Sequence, residues 1–437
     1  MESKIGVCYG ELGNNLPTPP ESIKLIGKEL HARRIKIYGT NPEILKSIQG
    51  TDIQISIMVP NNLIPDISTN QTAADEWVLS NVVPFYPKSK IRYLLVGNEI
   101  LSNPPNTTWY RLVPAMYKIR QSVRKLGLKK VKVGTPLAMD VLESSFPPSN
   151  GTFRSDVREK VIKPMLRFLD KTKSFFFVDV YTYFAWVNQP LEINLAYSLL
   201  EFTNITYTDP VSGLVYTNLL DQMLDALVFA MKRLGYPNLR LFLAETGWPS
   251  GGDPDQLGAN IYNAATYNRN VVKKFTAKPP IGTPARPGAV IQATIFALYN
   301  ENMKPGPGTE RHFGLLYPNG SHVYPIDLSG KTPVSDYPVL PKPESNGRLW
   351  CVAAKAANKT ALADAVAYAC SQGNGTCDPI QPGGKCYNPN TLINHASYAF
   401  TSYWTQLRTT GATCSFNGLA VLSSKDPSMF SYVLTRV

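Results

Sequence analysis

Short apolar runs alternate with amphipathic stretches along the first three-quarters of the chain. The runs are Ile5–Gly10, Ile35–Tyr38, Ile53–Val59, Tyr93–Glu99, Val131–Pro136, Phe175–Phe184, Leu239–Trp248 and Ala289–Leu298. Runs of this length and apolarity predict buried strands. Between them the spacing turns helical. Leu220, Met223, Leu224, Leu227, Met231 and Leu234 share one face, and Asn218 stands where an N-cap is needed. A second helix is predicted from Tyr110 to Leu126, with Lys and Arg in its last turns, where cations suit the helix dipole. Eight strands alternating with helices predict an α/β chain folded as a (β/α)₈ TIM barrel. An open doubly wound sheet is the rival, weakened because no Gly-rich phosphate loop follows the first run.

The alternation stops at Lys331. Residues 331–347 carry four prolines and few apolar anchors, which predicts a stiff Pro-rich linker. The expected organisation is a barrel over 4–330, that linker, and a small disulfide-bonded module over 348–437. Five of the six cysteines (Cys351, Cys370, Cys377, Cys386 and Cys414) crowd into this last quarter, as in a disulfide-stapled domain. The sixth, Cys8, lies inside an apolar run and reads as a small buried hydrophobe.

No run of eighteen apolar residues occurs, so no membrane span is expected. Glycosylation triplets stand at Asn70, Asn106, Asn150, Asn204, Asn319, Asn358 and Asn374. Together with the cysteines they lean towards secretion, although Met1-Glu2-Ser3-Lys4 leads straight into the first run. The expectation is an extracellular or cell-wall protein in mature form, its leader removed. The net charge is +12. It implies a basic surface and attraction to an acidic wall matrix. Arg33-Arg34 and Lys129-Lys130 stand alone without interleaved aromatics, so no nucleic-acid partner is expected. The four histidines have no metal spacing, and neither a metal nor a cofactor is expected.

Candidate chemistry lies where two runs close on glutamates: Val96-Gly97-Asn98-Glu99 and Ala244-Glu245-Thr246-Gly247-Trp248-Pro249-Ser250. Barrel strands ending on carboxylates deliver them to the C-terminal rim, where such folds keep their chemistry. An opposed pair of carboxyls, roughly 5 Å apart in a retaining enzyme, is what glycosidic bond cleavage needs. Asn98, beside Glu99, is placed to bond a sugar 2-hydroxyl. Tyr9, Tyr38, Tyr183, Phe184, Trp186 and Trp248 lie at or just after strand ends. As a set they suggest a saccharide cleft, since aromatic planes pack on the apolar face of a sugar.

These motifs, with Ile5-Gly6-Val7-Cys8-Tyr9-Gly10 and the Asn300-Glu301-Asn302-x-Lys304-Pro305-Gly306 stretch, resemble in order those of plant β-1,3-glucanases, glycoside hydrolase family 17. The resemblance covers about residues 4 to 330. It implies retaining endo-hydrolysis of β-1,3-glucan, with Glu99 as acid/base, Glu245 as nucleophile, and Glu301, Lys304 and Glu310 as supporting charges; a monomer is expected. Lys304 would then hold the carboxylates apart and keep Glu245 ionised. Two positions depart from the pattern. Asp179-Val180-Tyr181-Thr182-Tyr183-Phe184 stands where Asn-x-Tyr-Pro-Tyr-Phe is common, and Gly39 follows Tyr38 where an Asp is frequent. Asp179 and Thr182 are expected near the cleft floor.

Residues 349–428 resemble carbohydrate-binding module family 43 through Trp350-Cys351-Val352, Tyr368-Ala369-Cys370, Gln381-Pro382-Gly383-Gly384-Lys385-Cys386-Tyr387 and His395-Ala396-Ser397-Tyr398-Ala399-Phe400. The resemblance implies β-1,3-glucan binding, with Tyr398, Phe400 and Tyr403 as candidate platforms. It also implies Cys351–Cys414 and Cys377–Cys386 bridges. The family's last cysteine follows an Asp-Pro-Ser stretch; here Asp426-Pro427-Ser428 runs into Met429-Phe430, so Cys370 is expected to lack a partner. Three alternatives remain open: mixed-linkage glucan hydrolysis, transglycosylation, and a non-catalytic wall-binding protein on the same scaffold.

Overall fold

A computed structural model describes residues 5–102, 107–190, 192–201, 204–253, 256–343, 349–408, 412–423 and 426–427. It divides into two compact units, one of Met1–Gly251 with Ile261–Leu340, the other of Gly252–Asn260 with Pro341–Val437.

The first unit is the predicted barrel. Its strands are β1 (Ile5–Tyr9), β2 (Arg34–Ile37), β3 (Gln54–Val59), β4 (Ile91–Val96), β5 (Lys132–Gly134, resumed past Thr135 as Pro136–Ala138), β6 (Phe176–Asp179), β7 (Leu241–Thr246) and β8 (Gln292–Ile295). All pair in parallel, in the order β5-β4-β3-β2-β1-β8-β7-β6-β5. The ladder begins and ends on the same strand, so the sheet is closed, and the open-sheet alternative is gone. Side chains from alternate positions fill the interior. Tyr93, Phe177 and Phe242 pack edge-on or tilted within 5.0 to 5.4 Å of one another, with Met58, Leu95, Phe175 and Ala244 around them. Gly134 makes room for this layer, because a Cβ there would sit 2.3 Å from the Phe177 ring.

The predicted helices form close to their expected bounds, at Trp109–Lys125 and Leu219–Arg233. The Asn218 side chain accepts from Asp221 N, the cap the sequence suggested. The sixth run is shorter than expected. Its strand stops at Asp179, and Thr182–Asn188 is a helix. Thr182 is fully buried and donates to Ser198 O, 2.9 Å away, which turns the segment inward. The linker also begins later than predicted. Tyr337 donates its ring to the Arg269 guanidinium (4.2 Å) and its hydroxyl accepts from Asp327 N (2.8 Å), so residues 331–340 lie on the barrel.

The second unit packs Lys359–Ser371 and Leu392–Leu407 against the two-stranded pair Trp350–Ala353 and Ala420–Ser423. Cys351 pairs with Cys414 as expected, with Cα atoms 5.6 Å apart. The second bridge differs. Cys370 pairs with Cys377, and Cys386 is free and exposed. Cys370 lies in the last turn of its helix, and the chain folds back through Gly373 and Gly375, both with positive φ, to bring Cys377 within 5.2 Å. Closing so short a loop costs little chain entropy, which favours this local pairing. Alkylation of the folded chain should therefore label Cys386 fast and leave Cys370 unlabelled; fast labelling of Cys370 by peptide mapping would contradict the pairing.

Six of the seven glycosylation candidates are described, and all six asparagines are exposed; Asn106 lies outside the described residues. No helix among the described residues is long and apolar enough to cross a membrane.

Candidate active site

Glu99 and Glu245 stand at the C-terminal ends of β4 and β7, and each reaches its place through a local irregularity. Beyond β4 the backbone turns left-handed at Gly97 (φ 72°) and again at Glu99 (φ 47°). A Cβ on Gly97 would press within 2.7 Å of Ile64 and also bring the strain of a positive φ, so glycine is required there. Asn61 brackets the turn. It accepts from Asn98 N (2.7 Å) and donates to Asn98 O (3.0 Å), while Glu99 N reaches Pro136 O at 3.1 Å. In β7, Phe242 and Ala244 point into the barrel, so strict alternation would send Glu245 outward. The register against β6 shifts between Leu243 and Glu245. This bulge turns the carboxylate into the barrel mouth, a common use of bulges beside active sites.

There Glu245 is buried and held by three donors. Lys36 Nζ (2.6 Å) and the Tyr38 hydroxyl (2.5 Å) reach Oε1, and the Tyr181 hydroxyl (2.6 Å) reaches Oε2. Burial alone would raise its pKa. The Lys36 charge and the three hydrogen bonds outweigh burial and hold the carboxyl below its ordinary range. Burial pushes both tyrosines far up, so they stay protonated donors. Lys36 is 2% exposed; burial disfavours its charge, but Asp179 and Glu245 more than compensate and raise its pKa. It also sits 3.8 Å from Asp179 and 3.4 Å from Asn98 Oδ1. Asp179 has no hydrogen-bond partner on either oxygen, and burial with the Glu245 charge drives its pKa well up despite Lys36.

Glu99 has the opposite environment. Burial first, then the negative charge on Glu245, raise it to about 7. One carboxyl is thus ionised while its neighbour keeps its proton up to about pH 7, a division of roles set by surroundings.

The other expected residues fall on two sides. Glu301 is buried and accepts from Leu12 N (2.7 Å); a Cβ on Gly10 would lie 2.4 Å from its oxygens. Lys304 pairs with Glu310 (3.0 Å) and lies 3.9 Å over the Phe296 ring. The cation on Glu245 is therefore Lys36 and not Lys304, whose field reaches Glu99 only as a minor influence. Tyr38 and Phe184 border the site, and Phe184 is 40% exposed. Tyr9, Tyr183, Trp186 and Trp248 are buried. Trp248 packs against Tyr183 (5.1 Å) and Trp186 (5.7 Å), so these rings brace the rim and are closed to a sugar. In the second unit, Phe400 is core, stacked 4.0 Å from Phe416. Tyr403 is half-buried against the exposed ring of Tyr368, centroids 5.8 Å apart. No cluster of three His, Cys, Asp or Glu side chains fit for a metal occurs among the described residues.

Lys36 and Tyr181 carry functions that the sequence reading did not assign. The signal for Lys36 was present: a lone cation inside Ile35-Lys36-Ile37, two residues from Tyr38 and so on the same inward face.

The model of glycosyl hydrolases family 17 matches residues 5–328. The chain belongs to that family. As a family 17 member it is a glycoside hydrolase, and residues 349–421 match the X8 domain, a carbohydrate-binding module identical with family 43. Among relatives, it is 51% identical over 431 residues to the probable glucan endo-1,3-beta-glucosidase A6 of Arabidopsis thaliana, covering 98% of this chain and 90% of that protein. It is 35% identical to the glucan endo-1,3-beta-D-glucosidase of Olea europaea, covering 98% and 92%. Among solved structures, the barrel is similar to CJP38, a beta-1,3-glucanase and allergen of Cryptomeria japonica pollen. The TM-score is 0.70 and the identity 39%, over 74% of this chain and 98% of that one. A plant beta-glucan endohydrolase, described with a second of distinct substrate specificity, aligns at TM-score 0.67 and 34% identity over 74% and 99%.

Proposed function

We propose that this family 17 hydrolase cleaves internal β-1,3-glucosidic bonds of β-1,3-glucan with retention of configuration. The observation that carries the reading is the split between the two carboxyls at the barrel mouth: Glu99 keeps its proton up to about pH 7, and Glu245 is ionised beside Lys36. Glu99 donates its proton to the leaving glycosidic oxygen while Glu245 attacks the anomeric carbon. Glu99, now a carboxylate, takes a proton from the water that releases the sugar from Glu245. Lys36, Tyr38 and Tyr181 fix both oxygens of the nucleophile in place. Asn98 stands beside Glu99 to bond the sugar 2-hydroxyl, and Phe184 offers an exposed ring at the mouth. Glu301, and the Lys304–Glu310 pair, support the rim.

The names borne by its relatives support β-1,3-glucan as substrate. The X8 module binds the same polymer, and the Tyr368–Tyr403 pair offers it an aromatic surface with Tyr368 exposed. Exposed glycosylation triplets and disulfides support a secreted enzyme.

Reducing-sugar release from linear β-1,3-glucan, compared with mixed-linkage glucan, tests the reading. Release from the linear polymer should dominate; none from it would refute the proposal. A chain ending near Leu340 should keep its rate on soluble glucan and lose retention on insoluble glucan, since tethering raises effective concentration only at a surface. Equal retention would assign the module another task.

A further inference from the structure

Among the described residues, β8 is followed within the barrel unit only by the short 3₁₀ turns Gly308–Arg311 and Val334–Asp336. The long eighth helix that would complete the outer ring is missing. The helix after β1 (Pro19–Lys28) and the helix after β7 (Ile261–Thr276) therefore flank a gap. That gap is an open groove of about 1690 Å³.

Its walls carry Lys24, Lys28, Arg33, Lys273, Lys278 and Lys331. The five lysines are exposed, and none is ion-paired among the described residues. The acids lining the groove, Asp52 and Asp327, already have partners. Asp52 is held by Arg33 (3.1 Å) and Lys90 (2.9 Å), and Asp327 by His31 (3.3 Å) with Ser329 and Thr332. The two helices end here and return about half a negative charge each. Five unpaired lysines outweigh that by a wide margin.

Position separates this groove from the chemistry. Its lining residues Ala32 and Arg33 precede β2, and Asp52 and Ile53 precede β3, so it opens on the N-terminal rim. Glu99 and Glu245 lie on the opposite rim.

We propose that this groove binds a carboxylate-bearing polysaccharide, a polyuronate, while the active site works on neutral glucan. The lysines are spread along the groove instead of converging on one point, which fits a chain of repeated charges. Lysine is a flexible point charge that can follow successive anionic groups along a chain without imposing a bidentate geometry. The tyrosine ring in the groove, Tyr337, is already covered by Arg269. A single, half-covered ring offers no row of stacking platforms for successive bases, which disfavours single-stranded nucleic acid.

The full chain can be tested by retention on polygalacturonate. The variant combining Lys28→Gln, Lys273→Gln, Lys278→Gln and Lys331→Gln should bind on the order of 100-fold more weakly at low salt. A control combining Lys88→Gln, Lys129→Gln, Lys130→Gln and Lys171→Gln makes the same change in net charge away from the groove, and should lose less than about threefold. Both should hydrolyse soluble glucan at the parent rate, so the groove and the active site are judged separately. Binding should fall with salt and with methyl esterification of the uronate. Equal losses in the two variants would reduce the effect to diffuse charge, and equal binding of the methyl ester would reject the carboxylate. Failure of the parent chain to bind would also overturn the proposal.

Discussion

Glu245→Gly is expected to abolish glucan hydrolysis, by on the order of 10⁴-fold or more, and to recover turnover of an activated β-glycoside when azide is supplied. The product should be the glycosyl azide of inverted anomeric configuration. The cavity left by the side chain admits the small anion to the face from which Glu245 attacks, and no enzyme carboxylate remains for the second inversion. Removing one partner of a buried ion pair commonly costs about 3–5 kcal/mol. Here loss of the Glu245 charge removes one of the causes that hold Asp179 protonated, so Asp179, 3.8 Å from Lys36, can ionise in its place and the variant should remain folded. A thermal melt distinguishes lost chemistry from lost structure. Parent-level hydrolysis by Glu245→Gln would end the assignment, because the amide keeps the volume and loses the nucleophile.

Glu99→Gln should slow substrates with poor leaving groups by on the order of 10²–10⁴, and activated aryl glycosides far less in the step that forms the glycosyl enzyme. The pH profile gives a second readout with a definite sign. The acid form of Glu99 does the work, and its pKa is raised to about 7. The parent rate should therefore fall as pH rises through about 7, while the descent on the acid side reports the depressed Glu245. Replacing Glu99 by Gln removes the proton that titrates, so the alkaline descent should vanish. Equal losses on good and poor leaving groups, or an unchanged alkaline limb, would count against the role.

The barrel was legible because eight apolar runs and their helical spacers carry two distinct periods, and both glutamates were legible as polar ends on apolar strands. The orientation of Glu245 was not. It depends on a bulge, and alternation from Phe242 and Ala244 predicts the wrong face. The partner of Glu245 was hidden for a related reason: Lys36 comes from a strand distant in sequence, and only barrel closure joins β2 to β7 across the interior. The aromatic set at the strand ends looked like one surface. The helix at Thr182–Asn188 and the packing of Trp248 on Tyr183 and Trp186 sort it instead into a buried brace and an exposed Phe184. The second bridge followed the turn at Gly373 and Gly375, a local geometry that cysteine spacing does not reveal.

The left-handed backbone at Glu99 bears on how this enzyme would respond to directed evolution. A residue other than Asn or Gly held at positive φ costs roughly 1–2 kcal/mol, and here the strained residue also carries a partly buried carboxyl. Glycine at position 99 relieves both burdens at once. A library screened for heat resistance alone would therefore gather inactive sequences at this codon, and every round of such a screen has to be paired with one for turnover.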